Sequence, residues 1–285
     1  MMAFERRPKL LGVGEIRRIA REFDVVPSKR LGQNFVHDSN TIRKIAMLAG
    51  VGNGDHVLEV GPGFGSLTLG LLATGASVSA VELDSRVASG LRHVMAKYAA
   101  GSAVSIHVAD ARTFTELTEG PTSLVANLPY NLSVPILLKL LSRFSSINSV
   151  LVMVQREVGE RIISLPGSKV FGSPSVKAQW FGNWKLVCAV PRTVFWPVPN
   201  VDSVLIQMRA STPPGNEKLR KLVFELVDNA FANRRKMVRT ALAEYIGSAR
   251  VRDVILAAGL SPEARAEQWG LGEFVALAKS VMVTR

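Results

Sequence analysis

Between residues 55 and 209, short runs of β-branched and apolar residues alternate with longer stretches whose apolar positions recur every three or four residues. The runs cover residues 56–60, 77–81, 104–108, 123–126, 150–154, 185–190 and 203–208. Seven strands with helices between them predict an α/β, doubly wound, mostly parallel sheet. The last two runs are separated only by the proline-rich residues 191–202, too short for a helical crossover, so that pair is expected to be antiparallel.

Past residue 210 the period changes. Ser211-Thr212-Pro213-Pro214-Gly215-Asn216 reads as a linker, and Leu219, Leu222, Val223, Leu226, Val227, Ala230 and Phe231 then fall at helical spacing. Further helices are expected over residues 237–246, 251–258 and 272–282. The chain therefore divides into a basic extension (1–28), a main α/β domain (29–210) and a small all-helical domain (211–285). Within the extension, residues 15–21 have helical character and read as a solvated, charged helix face.

Composition narrows the class. With 285 residues, 47% of them apolar and 20% charged, the chain can bury a large core. No uninterrupted apolar stretch approaches the roughly 18 residues that would span a bilayer. The opening MMAFERRPKL puts charges where a signal peptide has its apolar segment, so a cytoplasmic protein is expected. The single cysteine, Cys188, sits in an apolar run, and the four histidines show no ligand spacing, so neither disulfide nor metal is expected. Net charge is +12, and the excess of Lys and Arg is densest at the two ends, five over residues 1–54 and four over residues 211–285. Such a surface attracts polyanions, although charge alone does not define a partner.

A cofactor signal lies in Val57-Leu58-Glu59-Val60-Gly61-Pro62-Gly63-Phe64-Gly65, where a strand ends, turns on glycines and opens a helix. Glycine lets the backbone turn tightly and come close to a ligand. The G-x-G-x-G spacing puts Ser66 where a dinucleotide fingerprint has its third glycine, which counts against NAD. Glu82 ends the second strand, 21 residues after Gly61, where a carboxylate can accept both hydroxyls of an adenosine ribose. Asp110 follows the third strand and could meet an adenine amino group. Carboxyl ends of successive strands are where open α/β sheets bind ligands, and this order resembles class I S-adenosylmethionine-dependent methyltransferases.

After the fourth strand stands Asn127-Leu128-Pro129-Tyr130. Taken alone it is equally an Asn-Pro turn with a core tyrosine. Behind a cofactor turn it is similar to the Asn/Asp-Pro-Pro-Tyr motif of nucleobase amino methyltransferases. Adenine N6 is a poor nucleophile, because its lone pair is delocalised into the ring. Two acceptors, the Asn127 side-chain oxygen and the Leu128 carbonyl, can hold its hydrogens and favour a pyramidal nitrogen. Pro129 stiffens the turn, and Tyr130 offers a face for an unstacked base.

With these residues in hand, the chain closely resembles the ribosomal RNA adenine N6,N6-dimethyltransferase family, in its bacterial small-subunit branch. The resemblance runs from about Lys29 to the C-terminus. It includes Leu31-Gly32-Gln33-Asn34-Phe35, Gln155-Arg156-Glu157-Val158, the run from Phe195 to Ser203, and Phe231-Ala232-Asn233-Arg234-Arg235-Lys236. It implies a Rossmann-like class I methyltransferase domain and S-adenosylmethionine held by Asn34, Val36, Gly61, Gly63, Glu82, Asp110 and Asn127. The resemblance also implies a target adenine between Tyr130 and Phe195, with Trp196 standing where a smaller residue is common. Its implied substrate is two adjacent adenines in a hairpin loop near the 3′ end of 16S rRNA, within the small ribosomal subunit or its precursor, with no oligomer required. Arg234, Arg235, Lys236 and Arg239, at the start of a tail helix, are expected to dock the RNA backbone. Two alternatives stay open: a large-subunit rRNA adenine methyltransferase of the macrolide-resistance type, and a non-catalytic ribosome-assembly factor on the same fold. The intact Asn127–Tyr130 motif with Glu82 and Asp110 argues against the second.

Overall fold

A computed structural model describes residues 9–28, 32–115, 117 and 119–284. Residues 1–8 of the basic extension, Lys29, where the resemblance begins, Arg30, and Leu31 of the motif run lie outside the described residues. Two compact units emerge: Met1–Gly159 with Lys185–Arg209, and Glu160–Trp184 with Ala210–Arg285.

In chain order the first unit begins with α1 (Val13–Glu22), β1 (Phe35–Val36), α2 (Ser39–Ala49), β2 (His56–Val60), α3 (Ser66–Leu72), β3 (Ser77–Glu82), α4 (Ser85–Tyr98) and β4 (Val104–Val108). It continues through β5 (Ser123–Asn127), α5 (Ser133–Arg143) and β6 (Ser149–Gln155) to the start of α6 (Arg156–Ile163). After α7 (Ser173–Gln179) come β7 (Gly182–Val190), β8 (Phe195–Trp196) and β9 (Ser203–Ala210). Seven strands form one sheet in the order β4-β3-β2-β5-β6-β9-β7. The β2–β3, β3–β4, β2–β5 and β5–β6 pairs are parallel, and β9 runs antiparallel to β6. This is the doubly wound, mostly parallel sheet that the alternating pattern predicts, with several strands a few residues longer than their apolar runs. The chain winds outward from β2 through β3 to β4, then returns to β5 on the other side of β2. That reversal leaves a crevice beyond the carboxyl ends of β2 and β5.

Burial explains why these segments are strands. Val150 to Val154 in β6 are at most 1% exposed, as expected of a strand covered on both faces. The two-residue ribbon of β1 and β8, pairing Phe35 with Trp196 and Val36 with Phe195, is too short to leave any periodicity in the sequence. The extension also differs from the expected solvated helix. Its residues 13–22 are helical, but Leu11, Ile16 and Ile19 are completely buried in the same core as Phe64 and Leu91. Apolar positions 16 and 19 share one face of the helix, and that face is inside.

The second unit is helical: α7, then α8 (Glu217–Ala232), α9 (Val238–Ala241), α10 (Ala243–Ile246), α11 (Val251–Ala257) and α12 (Leu271–Val283). Phe171, Val176 and Trp180, from the stretch between β6 and β7, share its core with Leu222, Val223 and Leu226 of α8. The single helix expected over 237–246 is two four-residue helices meeting at Leu242, a fully buried residue. Among the described residues no helix is long and apolar enough to cross a membrane.

Candidate active site

The site is assembled at the β2/β5 crevice. Gly61, with φ +65°, and Gly63, with φ +58°, occupy the left-handed region that L side chains rarely adopt. A Cβ on Gly63 would lie 2.6 Å from the Phe35 ring, so no other residue fits between the turn and β1. The same turn, with Asn34, Glu82, Asp110 and Asn127, lines one pocket together with Phe35. Val36 lines an adjoining smaller cavity, which shares Asn34, Gly61, Gly63 and Asn127 with the first. Of the cofactor contacts expected from sequence, six therefore converge on one cleft and Val36 on its annex.

Glu82 is buried at the end of β3. Its Oε1 accepts the Asp84 amide at 3.0 Å. Burial pushes the carboxyl up to about 7, opposed by hydrogen bonds from the backbone of Asp84, Gly63 and Leu83. Asp84 in turn caps α4, accepting the Arg86 amide at 2.9 Å, which fixes the chain just beyond Glu82. Asp110 lies in the pocket wall with its carboxylate already engaged. Arg112 donates to it through Nη2 at 2.6 Å and through its backbone amide at 2.8 Å, holding the carboxyl below its usual range.

Asn127 ends β5 in register with Met153 of β6. Its Nδ2 donates to the Asn34 carbonyl at 3.0 Å, which pins the side chain. Its Oδ1 is buried and has no hydrogen-bond partner among the described residues. A buried acceptor left unpaired is costly, and such a group calls for a donor. Leu128 is 1% exposed and donates its amide to Met153, continuing the strand's bonding one residue further. Pro129 lines the pocket. Tyr130 is partly buried, and its hydroxyl hydrogen-bonds the buried Ser203 at the start of β9, which fixes the ring's direction. Phe195 is placed on β8 opposite Val36, but at 1% exposure it belongs to the core and presents no open face in this structure. Trp196 beside it is partly buried.

The tail cations divide into two pairs. Arg234 donates to Glu267 and to the Lys169 carbonyl, both at 2.8 Å, and Arg239 pairs with Glu263 at 3.6 Å. Arg235 and Lys236 are exposed and unpaired among the described residues.

Several site residues gave no separate signal in the sequence. Glu59 is 1% exposed, accepts from Thr68 Oγ1 at 2.7 Å, and is pushed up to about 8 by its burial. A carboxylate inside the apolar run Val57-Leu58-Glu59-Val60 was the available clue. Leu132 and Ile136, at the start of α5, add apolar wall to the pocket, and Arg112 engages Asp110. Among the described residues no group of three or more His, Cys, Asp or Glu could hold a metal ion.

The cleft fits the S-adenosylmethionine that the sequence implies. A glycine turn without Cβ atoms leaves room for close approach, Glu82 can accept ribose hydroxyls, and Asn127, whose Oδ1 is unpaired among the described residues, lines the same pocket. Comparisons with known proteins agree. A family model described as ribosomal RNA adenine dimethylase matches residues 27–282. The ribosomal RNA small subunit methyltransferase A of Leifsonia xyli is 54% identical over 275 residues, covering 95% of this chain and 98% of its own. Its counterpart from Corynebacterium diphtheriae is 45% identical over 280 residues, covering 95% of each chain. Two solved structures share the fold. A dimethyladenosine transferase from Plasmodium falciparum has a TM-score of 0.69 at 22% identity, over 85% of this chain and 95% of its own. The 23S rRNA methyltransferase ErmE has a TM-score of 0.64 at 24% identity, over 87% of this chain and 100% of its own.

Proposed function

The chain belongs to the ribosomal RNA adenine dimethylase family, and from that membership we propose that it is the small-subunit enzyme, an S-adenosylmethionine-dependent 16S rRNA adenine dimethyltransferase. Its substrate is N6 of two adjacent adenines in the 3′-terminal hairpin loop, within the small ribosomal subunit or its precursor, in the cytoplasm. The relatives at 45–54% identity carry the small-subunit name, which favours this reading over the large-subunit alternative. The likeness to ErmE at 24% identity concerns the fold.

The observation that carries the chemistry is the buried, unpaired Oδ1 of Asn127. S-adenosylmethionine supplies an electrophilic methyl group on a sulfonium when bound. Asn127 Oδ1, held in place through Nδ2 and the Asn34 carbonyl, accepts an N6–H and draws the nitrogen lone pair out of conjugation with the ring. That bond strengthens as N6 becomes positive, so it stabilises the transition state more than the ground state. Tyr130, anchored through Ser203, gives the flipped base a stacking face. The methylated nitrogen is acidic enough to release its proton to water, and the side chains need supply no strong base.

Incubating the purified chain and labelled S-adenosylmethionine with unmethylated small subunits, large subunits or duplex DNA, then mapping the modified base, tests the reading. Label confined to adjacent adenines of 16S rRNA is expected, and label on large subunits or none on small subunits would overturn it. Asn127→Ala should lower single-turnover methyl transfer by about 10²-fold or more while subunit binding persists. A wild-type rate would remove Asn127 from the mechanism.

A further inference from the structure

On the face made by the N-terminal extension lies a shallow apolar recess bounded by Arg17, Arg21, Val26, Pro27 and Trp196. Arg17 and Arg21 are one helical turn apart, on the same side of α1. The guanidinium of Arg17 lies 5.7 Å from the Trp196 ring. Neither arginine has an acidic partner among the described residues, whereas Arg18 on the adjacent face is paired with Glu22 at 2.8 Å. Two like charges one turn apart weaken a helix slightly, so an anion between them would be favoured. Val26, on the rim, is 82% exposed.

Packed rings link the recess to the active site. Trp196 pairs with Phe35 across β1 and β8, and their rings lie 6.1 Å apart. Phe35 lines the pocket, and the carbonyl of its neighbour Asn34 holds Asn127. Helix α1 cannot drift from this position, because Ile16 and Ile19 are buried in the core.

The geometry points to a second RNA subsite here, one that takes an unpaired nucleotide close to the target adenine on the same strand. A nucleotide has an apolar face beside an anionic phosphate, and the recess offers an indole and aliphatic carbons beside two cations that lack an acidic partner among the described residues. The chain's net charge of +12 points the same way. The subsite rests on the RNA-modifying reading above. It adds a positioning element in a part of the chain to which that reading gives no role: stacking at Trp196 would hold the loop open while a neighbouring base reaches Tyr130.

The test uses the full chain and unmethylated small subunits as probe. Subunit affinity, salt dependence and S-adenosylmethionine affinity are measured for wild type, Trp196→Leu and the double variant Arg17→Ala/Arg21→Ala, with ultraviolet cross-linking to locate RNA on the chain. Expected are a loss of subunit affinity of about tenfold in each variant, a salt slope about 1 to 2 lower in the double variant, and a cross-link between the Trp196 peptide and a loop nucleotide. S-adenosylmethionine affinity should stay within about twofold of wild type. If Trp196→Leu loses the cofactor as well, it has disturbed Phe35, and the arginine pair decides. Wild-type affinity and slope in the double variant, with no cross-link to the Trp196 peptide, would overturn the subsite even if adenines are methylated normally. That result, or double-variant loss of self-association alone, would assign the face to protein contact. Conversely, a cross-link at Trp196 without methylation of any adenine would keep the subsite and sink the enzymatic reading. Failure of wild type to bind subunits would end both.

Discussion

Two buried carboxylates make the site sensitive to pH in opposite ways. Glu82 is pushed up to about 7 by burial, and ribose hydroxyls are best held by its ionised form. As pH falls through that value the charged acceptor is lost, so S-adenosylmethionine affinity should weaken about tenfold between pH 8 and pH 6, the factor set by one ionisation with a midpoint near 7. Calorimetric titration of wild type and Glu82→Gln checks this: the variant should bind more weakly at pH 8 and show a flat profile. An equally steep profile in the variant would place the titrating group elsewhere. Glu59 acts on stability instead. Its carboxyl is raised to about 8 by burial and, to a lesser extent, by the nearby Glu82 charge, against the hydrogen bond from Thr68. The unfolded value is near 4.3, so between roughly 4.3 and 8 the folded chain binds the extra proton, and stability falls as pH rises through that window, by up to about 1.4 kcal/mol per unit. Glu59→Gln keeps an acceptor for Thr68 and cannot ionise. It should therefore resist urea better than wild type at pH 8, with the advantage shrinking as pH falls and vanishing below about pH 4. An advantage independent of pH would show that Glu59 is not the titrating group.

At the scale of elements, the extension is the part whose role the structure changes most. Ile19 is completely buried, and its side chain lies against the space over Gly90 beside Phe64. Ile19→Ala should destabilise the first unit by about 2 to 5 kcal/mol, as buried isoleucines do on truncation; urea unfolding at fixed pH reads it, and a change below about 0.5 kcal/mol, typical of a surface site, would return α1 to the solvent. The sequence made the sheet legible because each strand is a β-rich run bounded by turn residues, and the cleft legible because most of the residues expected there sit at strand ends. It hid the burial of α1, since four residues of Glu15-Ile16-Arg17-Arg18-Ile19-Ala20-Arg21 are charged and the two isoleucines look incidental until a partner surface is known. It also hid the β1–β8 ribbon, two residues long, and the membership of Phe171, Val176 and Trp180 in the helical core, because tertiary packing alone decides which core a short apolar cluster joins.

For the whole molecule, the +12 charge matters through the cations that are free to meet phosphates. Among the tail cations the structure separates these. Arg234 and Arg239 neutralise Glu267 and Glu263 within the helical unit, while Arg235 and Lys236 are exposed. Each phosphate contact contributes about 0.7 to 0.9 to the slope of log affinity against log salt. Arg235→Ala/Lys236→Ala should therefore reduce the slope of subunit binding by about 1.4 to 1.8, with S-adenosylmethionine affinity unchanged. Arg234→Ala should do less to the slope, because releasing Glu267 adds an unpaired negative charge more than it removes a phosphate contact. Its stability cost should be small, about 0 to 1 kcal/mol for a partly exposed pair. A salt series on small subunits ranks the variants. If Arg234→Ala flattens the slope as much as the double variant does, the ion pair with Glu267 must open on RNA, and the tail meets the ribosome with all of its cations. If neither variant changes the slope, the electrostatic contact lies with Arg17 and Arg21 at the other end of the chain.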